Sequence, residues 1–240
     1  MLTVGGQQKN QSSGKEGCIA SAIRGSLFLF IWSCIKVDKK QAIKILIDSA
    51  HEYKSNFVNK NMLIVFDNNN SYTYIETLFL PRHFLHLTGI KTKEENRNAS
   101  AFYKKCLSKK LSLSEFDFKT DGTTELKLTI LLQMMNISNF SRMIGDYNNS
   151  KANLITEKIA GTTSMCIGFV KDGSYYVPNT ALKQDTRDLV GKTHRIVTVF
   201  SKASKDIKYC KLEYNAKKIN VDLVSTNKTI KDLVNISYTN

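Results

Sequence analysis

The chain has 240 residues, 42% hydrophobic and 23% charged, which is ordinary for a globular protein and long enough to bury a core that stands alone. Its 35 Lys and Arg outnumber 21 Asp and Glu, a formal +14, and such an excess favours polyanionic partners, either nucleic acid or an anionic membrane surface. Five scattered cysteines, Cys18, Cys34, Cys106, Cys166 and Cys210, form no CxxC pair, which argues against a disulfide framework or a zinc cage and for a reducing, cytoplasmic setting.

The first 17 residues are polar and rich in Gly, Gln and Ser, the composition of a disordered segment. Cys18 to Ile35 is mostly apolar, but Arg24 and Gly25 interrupt it. The unbroken run, Leu27 to Ile35, falls short of the ~20 apolar residues of a membrane helix. Residues 1–35 therefore read as an extension (a weak anchor, a partner-binding or core helix, or sequence upstream of the true start), and 36–240 as one domain.

Asp38 is placed to cap a helix, with Gln41 completing a capping box and Ile43, Leu46, Ile47, Ala50 and Tyr53 recurring on one face. Asn61 to Phe66 and Ser71 to Phe79 read as two strands around an Asn-rich turn, the second ended by Pro81. In Phe84-Leu85-His86-Leu87-Thr88-Gly89-Ile90 one histidine interrupts an apolar run that begins a short buried helix or turn. Ala99 to Leu111 and Thr124 to Met135 have helical periodicity. Strands are predicted over Phe140–Tyr147, Leu154–Ile159, Met165–Lys171, Ser174–Val177, Arg195–Phe200 and Lys208–Tyr214. Asp172-Gly173 marks a hairpin, and Ala181 to Val190 is expected to be a short helix. Helices first and antiparallel strands later give an α+β class.

The basic residues are not confined to a tail. Lys183 to Lys231 contains twelve Lys and Arg against five Asp and Glu, interleaved with apolar residues. The charge thus lies on folded structure, either as a nucleic-acid surface or as a solvated face. Two segments hold candidate chemistry. Imidazole is the side chain best suited to moving protons near neutrality, and His86 sits among apolar neighbours. Tyr175-Tyr176-Val177-Pro178-Asn179-Thr180, followed by Lys183, Asp185 and Arg187, supplies hydroxyls, an amide and cations suited to phosphates.

Several stretches, in order, resemble the fourth of the phage-encoded nuclease families grouped with barnase, EndoU, colicin E5/D and RelE. They are Phe84 to Ile90, Phe102 to Leu107 with Lys110-Leu111-Ser112, Thr124 to Leu128, Met143 to Tyr147, Gly168 to Lys171, and Tyr176 to Thr180 with Leu182-Lys183 and Asp185. The resemblance spans roughly Lys39 to Tyr214. It implies a helical front, a four-stranded antiparallel sheet, and cleavage of RNA with no metal or other cofactor by a phage- or mobile-element-encoded, toxin-like enzyme. RNA is the expected partner, without DNA specificity, alongside an antitoxin or host protein.

RNA carries its own nucleophile, the 2′-hydroxyl, so an enzyme needs a base, an acid and donors to the phosphoryl oxygens. His86 is the expected proton-transfer group. Thr88 and Thr180 are expected to donate to phosphate, and Lys183 and Arg187, read as sharing a helical face, to stabilise charge. Tyr176 is a second acid or a base-stacking platform. Asn179 reads a base edge or fixes a loop, and Lys127 and Lys171 are further substrate-binding candidates. Each has a plainer reading: a core histidine at 86, a helix end at Thr88-Gly89, an N-cap at Asn179-Thr180, surface charge at Lys183 and Arg187, snorkelling at Lys127. Two other classes stay open, a non-catalytic basic binding factor and an ADP-ribosyltransferase. The latter lacks a persuasive glutamate at a strand end.

Overall fold

The computed structural model describes residues 37–69, 71–93, 98–136, 141–151, 153–221 and 227–235. The extension expected over 1–35 and the start of the strand expected at Phe140 lie outside them. The cap at Asp38 forms as the sequence indicates. Its carboxylate accepts from Gln41 N at 2.8 Å, and the Gln41 side chain accepts from Asp38 N at 3.0 Å, starting helix α1 (Lys39–Asn56). The face carrying Ala42, Leu46, Ala50 and Tyr53 is buried.

Strands intervene early. Hairpin β1 (Lys60–Asn68) and β2 (Ser71–Leu78) pairs from Asn61↔Leu78 to Asn68↔Ser71. A 3-10 turn (Pro81–His83) then leads into α2 (Phe84–Thr88), the short strand β3 (Lys91–Thr92), α3 (Ala99–Leu107), the short strand β4 (Phe116–Asp117) and α4 (Thr123–Met134). There follow β5 (Met143–Asp146), β6 (Lys158–Gly161), β7 (Cys166–Asp172), β8 (Tyr175–Leu182), β9 (His194–Ala203), β10 (Lys211–Asn215) and α5 (Lys228–Leu233).

The α+β class holds, but the expected helical half followed by four strands does not. Eight strands join in the order β1-β2-β8-β7-β6-β5-β9-β10, and a further β1–β9 pairing closes seven of them into a ring with β10 branching from β9. Among the named strands one contact is parallel, the single pair Thr77↔Tyr176 between β2 and β8. The segment expected to be helical from Ala181 is the end of β8 followed by a 3-10 turn (Thr186–Asp188).

Strand alternation divides the apolar residues into two sets. Met62, Ile64, Phe66, Ile144, Ile167, Phe169 and Ile196 join the main core with the helices. Leu63, Val65, Val197 and Phe200 face the other way, packed with Tyr209, Ile230 and Val234. Aromatic rings bind helices to sheet. Phe57 and Phe79 stack at 4.3 Å, Tyr53 meets Phe84 at 5.3 Å, and Phe79 meets Phe169 of β7 edge-on at 6.1 Å. Fully burying each such ring contributes about 1.5–3 kcal/mol, so α2 is held firmly against α1, and the segment before it against β7.

The β7–β8 hairpin turns where the Asp-Gly signal lies, around Gly173 with φ 60. Its register slips once, because Phe169 pairs with Pro178 and Gly168 with Thr180. Asn179 is the extra residue of a bulge. Proline has no N–H to offer a ladder and is tolerated at such irregularities. The bulge re-aims the side chains beyond it, which decides where Asn179 and Thr180 point.

Candidate active site

Helix α2 is only five residues long, yet its ends are fixed. Thr88 is fully buried. Its Oγ1 donates to Leu85 O at 2.7 Å and accepts from Ile90 N at 3.1 Å. Gly89 follows with φ 71, the left-handed cap of the helix. Before the helix, buried His83 accepts at Nδ1 from Leu80 N at 3.1 Å, and burial pushes its pKa down to about 4. Phe84, Leu87 and Thr88 are buried, while His86 is exposed on the helix's other side.

Helix α4 docks against this cap. Thr124 Oγ1 donates to Gly89 O at 2.7 Å and accepts from Lys119 N at 3.0 Å. One turn on, the Lys127 side chain runs over Gly89 so closely that a Cβ there would lie 2.8 Å from Lys127 Cδ. Lys127 Nζ then donates to Thr180 Oγ1 at 2.9 Å and to His86 O at 3.3 Å. The Lys127 ammonium therefore ties α2 to β8. From the bulge, Asn179 Nδ2 donates to Ile155 O and holds the loop ahead of β6, while Asn179 Oδ1 is buried without a partner among the described residues.

These side chains share a cleft of about 360 Å³, lined by Leu85, His86, Lys119, Lys127, Ile155, Asn179 and Thr180 among others. That volume suits a small ligand or one nucleotide unit. Two lysines make the cleft cationic and set its titration. The His86 imidazole is held below its usual range, first by partial burial and then by the like charges of Lys127 and Lys119. The Lys127 ammonium is pushed down to about 8, chiefly by burial, with Lys119 adding to the shift and Asp121 opposing it. Near neutral pH the imidazole is thus free to accept a proton and the ammonium still holds one to give.

Four sequence-selected residues meet in this cleft: His86, Lys127, Asn179 and Thr180. The others do not line it. Thr88, expected to donate to phosphate, is sealed in the core with its hydroxyl spent on backbone. Arg187, expected to clamp phosphate, is fastened to Asp185 by Nε–Oδ1 at 3.1 Å and Nη2–Oδ2 at 2.6 Å. This pair spans a 3-10 turn, so the helical face expected for Lys183 and Arg187 does not exist, and Lys183 is simply exposed. Tyr176 pairs with Lys171 and lies at a different cleft, and Lys171 is exposed on the same hairpin. Asn179 and Thr180 are strand residues rather than a helix cap.

Sequence reasoning missed Lys119 and the loop at Ile155. Lys119 shows no motif; bonds from its N–H to Thr124 Oγ1 and from Gly122 N to its carbonyl place it at the cleft. The family model described as phage-Barnase-EndoU-ColicinE5/D-RelE like nuclease4 matches residues 45–218. The chain belongs to this nuclease family. The matched span contains every cleft residue and stops short of α5. No curated protein and no solved structure matches the nuclease. No helix among its described residues is long and apolar enough to cross a membrane.

Proposed function

We propose that this nuclease is an endoribonuclease that needs no metal and cuts RNA by attack of the 2′-hydroxyl on the adjacent phosphate. The observation carrying this reading is the Lys127 ammonium lodged between Thr180 Oγ1 and the His86 segment, in one cleft, with its pKa lowered to about 8. His86, neutral at pH 7, takes the 2′-hydroxyl proton. Lys127 stabilises the charge gathering on the phosphoryl oxygens and protonates the departing 5′-oxygen. Thr180 accepts from Lys127, so its own hydroxyl hydrogen is left to donate to a phosphoryl oxygen. Lys119 adds a second positive charge at the exposed lip, and Asn179 fixes the loop that walls the cleft. Proton transfer by each group supplies roughly 10²–10⁴-fold, and fixed charge aimed at the phosphate as much again.

DNA lacks the 2′-hydroxyl and is not cut by this route. The net charge of +14 supports a polyanionic substrate. The family's phage setting supports a toxin- or effector-like role in a host cytoplasm, where an antitoxin or host protein would be its protein partner. The test is incubation of the purified chain with total RNA in excess chelator, followed by end-group analysis. Products ending in 2′,3′-cyclic phosphate and 5′-hydroxyl support the route. Intact RNA at high protein excess, with RNA binding retained, replaces it with the non-catalytic binding factor.

A further inference from the structure

A second cleft, about 240 Å³, opens inside the strand ring, away from the His86 cleft. Its floor is apolar, made by Phe66, Ile75 and Ile144. Around it stand Asn68, Thr73, Asp146, Lys158, Tyr176 and His194, drawn from six different strands.

Several polar groups face the cleft with hydrogen-bonding capacity to spare. The Tyr176 hydroxyl, the Thr73 hydroxyl and the Asn68 side-chain amide have no partner among the described residues. His194 Nδ1 lies 3.1 Å from Asp67 O, a carbonyl that only accepts. Nδ1 therefore carries the hydrogen, and the neutral ring keeps Nε2 as an acceptor. Lys158, whose side chain is 19% exposed, meets Asp146 at 2.5 Å, and two of its three N–H donors remain. The two charges cancel, whereas Lys119 and Lys127 line the His86 cleft with no carboxylate among its described lining residues. An apolar floor ringed by mixed donors and acceptors, with its charge balanced, suits a flat neutral heterocycle better than a phosphate. Mouths of β-ring structures are common sites for such ligands.

We propose that this mouth is a nucleobase-binding pocket. The idea rests on the reading of the chain as a protein that handles nucleic acid. A base lies over Phe66, Ile75 and Ile144, and its edge meets the His194, Thr73 and Asn68 groups. Tyr176 walls one side. Tyr176 and Thr180 are on the same strand, four residues or about 13 Å apart, and the bulge between them gives each cleft its own side chain.

The experiment titrates the full chain with adenosine, guanosine, cytidine and uridine, with ribose 5-phosphate as the probe that lacks a base, and follows binding by amide chemical shifts and calorimetry. At least one nucleoside is expected to saturate with shifts around Gly145 and His194, and ribose 5-phosphate is not. Tyr176→Ala and His194→Ala are expected to weaken that nucleoside at least tenfold. Asn68→Ala, at an exposed position, is expected to weaken it severalfold. Ile207→Ala, exposed and lining neither cleft, is expected to leave it unchanged. Competition by a 2′-O-methyl hexanucleotide assigns the pocket to a base within the polymer; its absence assigns it to a free nucleotide. Failure of every nucleoside to bind, or binding indifferent to all three mouth variants, overturns the proposal. Binding is read without cleavage, so a chain that binds nucleosides but leaves RNA intact refutes the ribonuclease reading and not this one.

Discussion

Lys127→Met separates a catalytic lysine from a structural one. Methionine keeps the length and apolar stem of lysine and removes the charge. The folded chain lowers the Lys127 pKa from 10.5 to about 8, mainly by burial. Holding the ammonium in the cleft therefore costs about 3 kcal/mol relative to the unfolded chain. That cost is full below about pH 8 and fades as the pH rises towards 10.5, because the unfolded chain keeps its proton longer. Against it stand the hydrogen bonds to Thr180 Oγ1 and His86 O, about 1 kcal/mol each. The variant should be more stable by about 1 kcal/mol at pH 7, raising Tm by roughly 2–4 °C in a domain of this size. Its single-turnover cleavage should fall by roughly 10²–10⁴. Thermal melts and cleavage of one labelled oligonucleotide measure both. Wild-type cleavage in the variant, or activity lost only in step with lost stability, refutes the reasoning.

Further outcomes follow from the same geometry. Gly89→Ala should lose about 1–2 kcal/mol for a left-handed φ of 71 and also lose cleavage, because its Cβ displaces Lys127. Gly122→Ala, with φ 74 and nothing within 4 Å, should lose similar stability in urea melts and keep cleavage; equal activity losses would contradict this. The pH profile of kcat/KM should be bell-shaped, rising through a His86 pKa below 6.5 and falling through Lys127 near 8. A profile flat from pH 6 to 9 counts against both assignments. Buried His83, with its pKa lowered to about 4, should make the fold lose about 3 kcal/mol as pH drops from 6.5 towards 4. His83→Asn should flatten that slope in urea unfolding, and parallel slopes would exonerate His83.

Local chemistry was legible in the sequence where neighbours a few residues apart decide it. The Asp38–Gln41 capping box and the Gly173 hairpin are such cases. The structure also brings His86, Asn179 and Thr180, chosen from the sequence by residue type, to one cleft. Three features were beyond it. The β1–β9 pairing that closes the ring joins segments well over a hundred residues apart, and no periodicity records it. The bulge at Asn179 changes which face the following residues take, so Tyr176 and Thr180 part company although they read as one motif. The neutralisation of Arg187 by Asp185 depends on a 3-10 turn, and a helix assumed there turns the two side chains apart. The depressed Lys127 pKa likewise exists only once α4, Gly89 and β8 surround it.

The most direct measurement is single-turnover cleavage of a defined RNA by His86→Ala, with RNA affinity measured on the same preparation. With the imidazole in the proposed role of proton carrier, cleavage should drop by at least a hundredfold while Kd stays within about twofold. Undiminished cleavage by that variant in excess chelator would remove His86 from the reaction and, with it, the cleft as its seat.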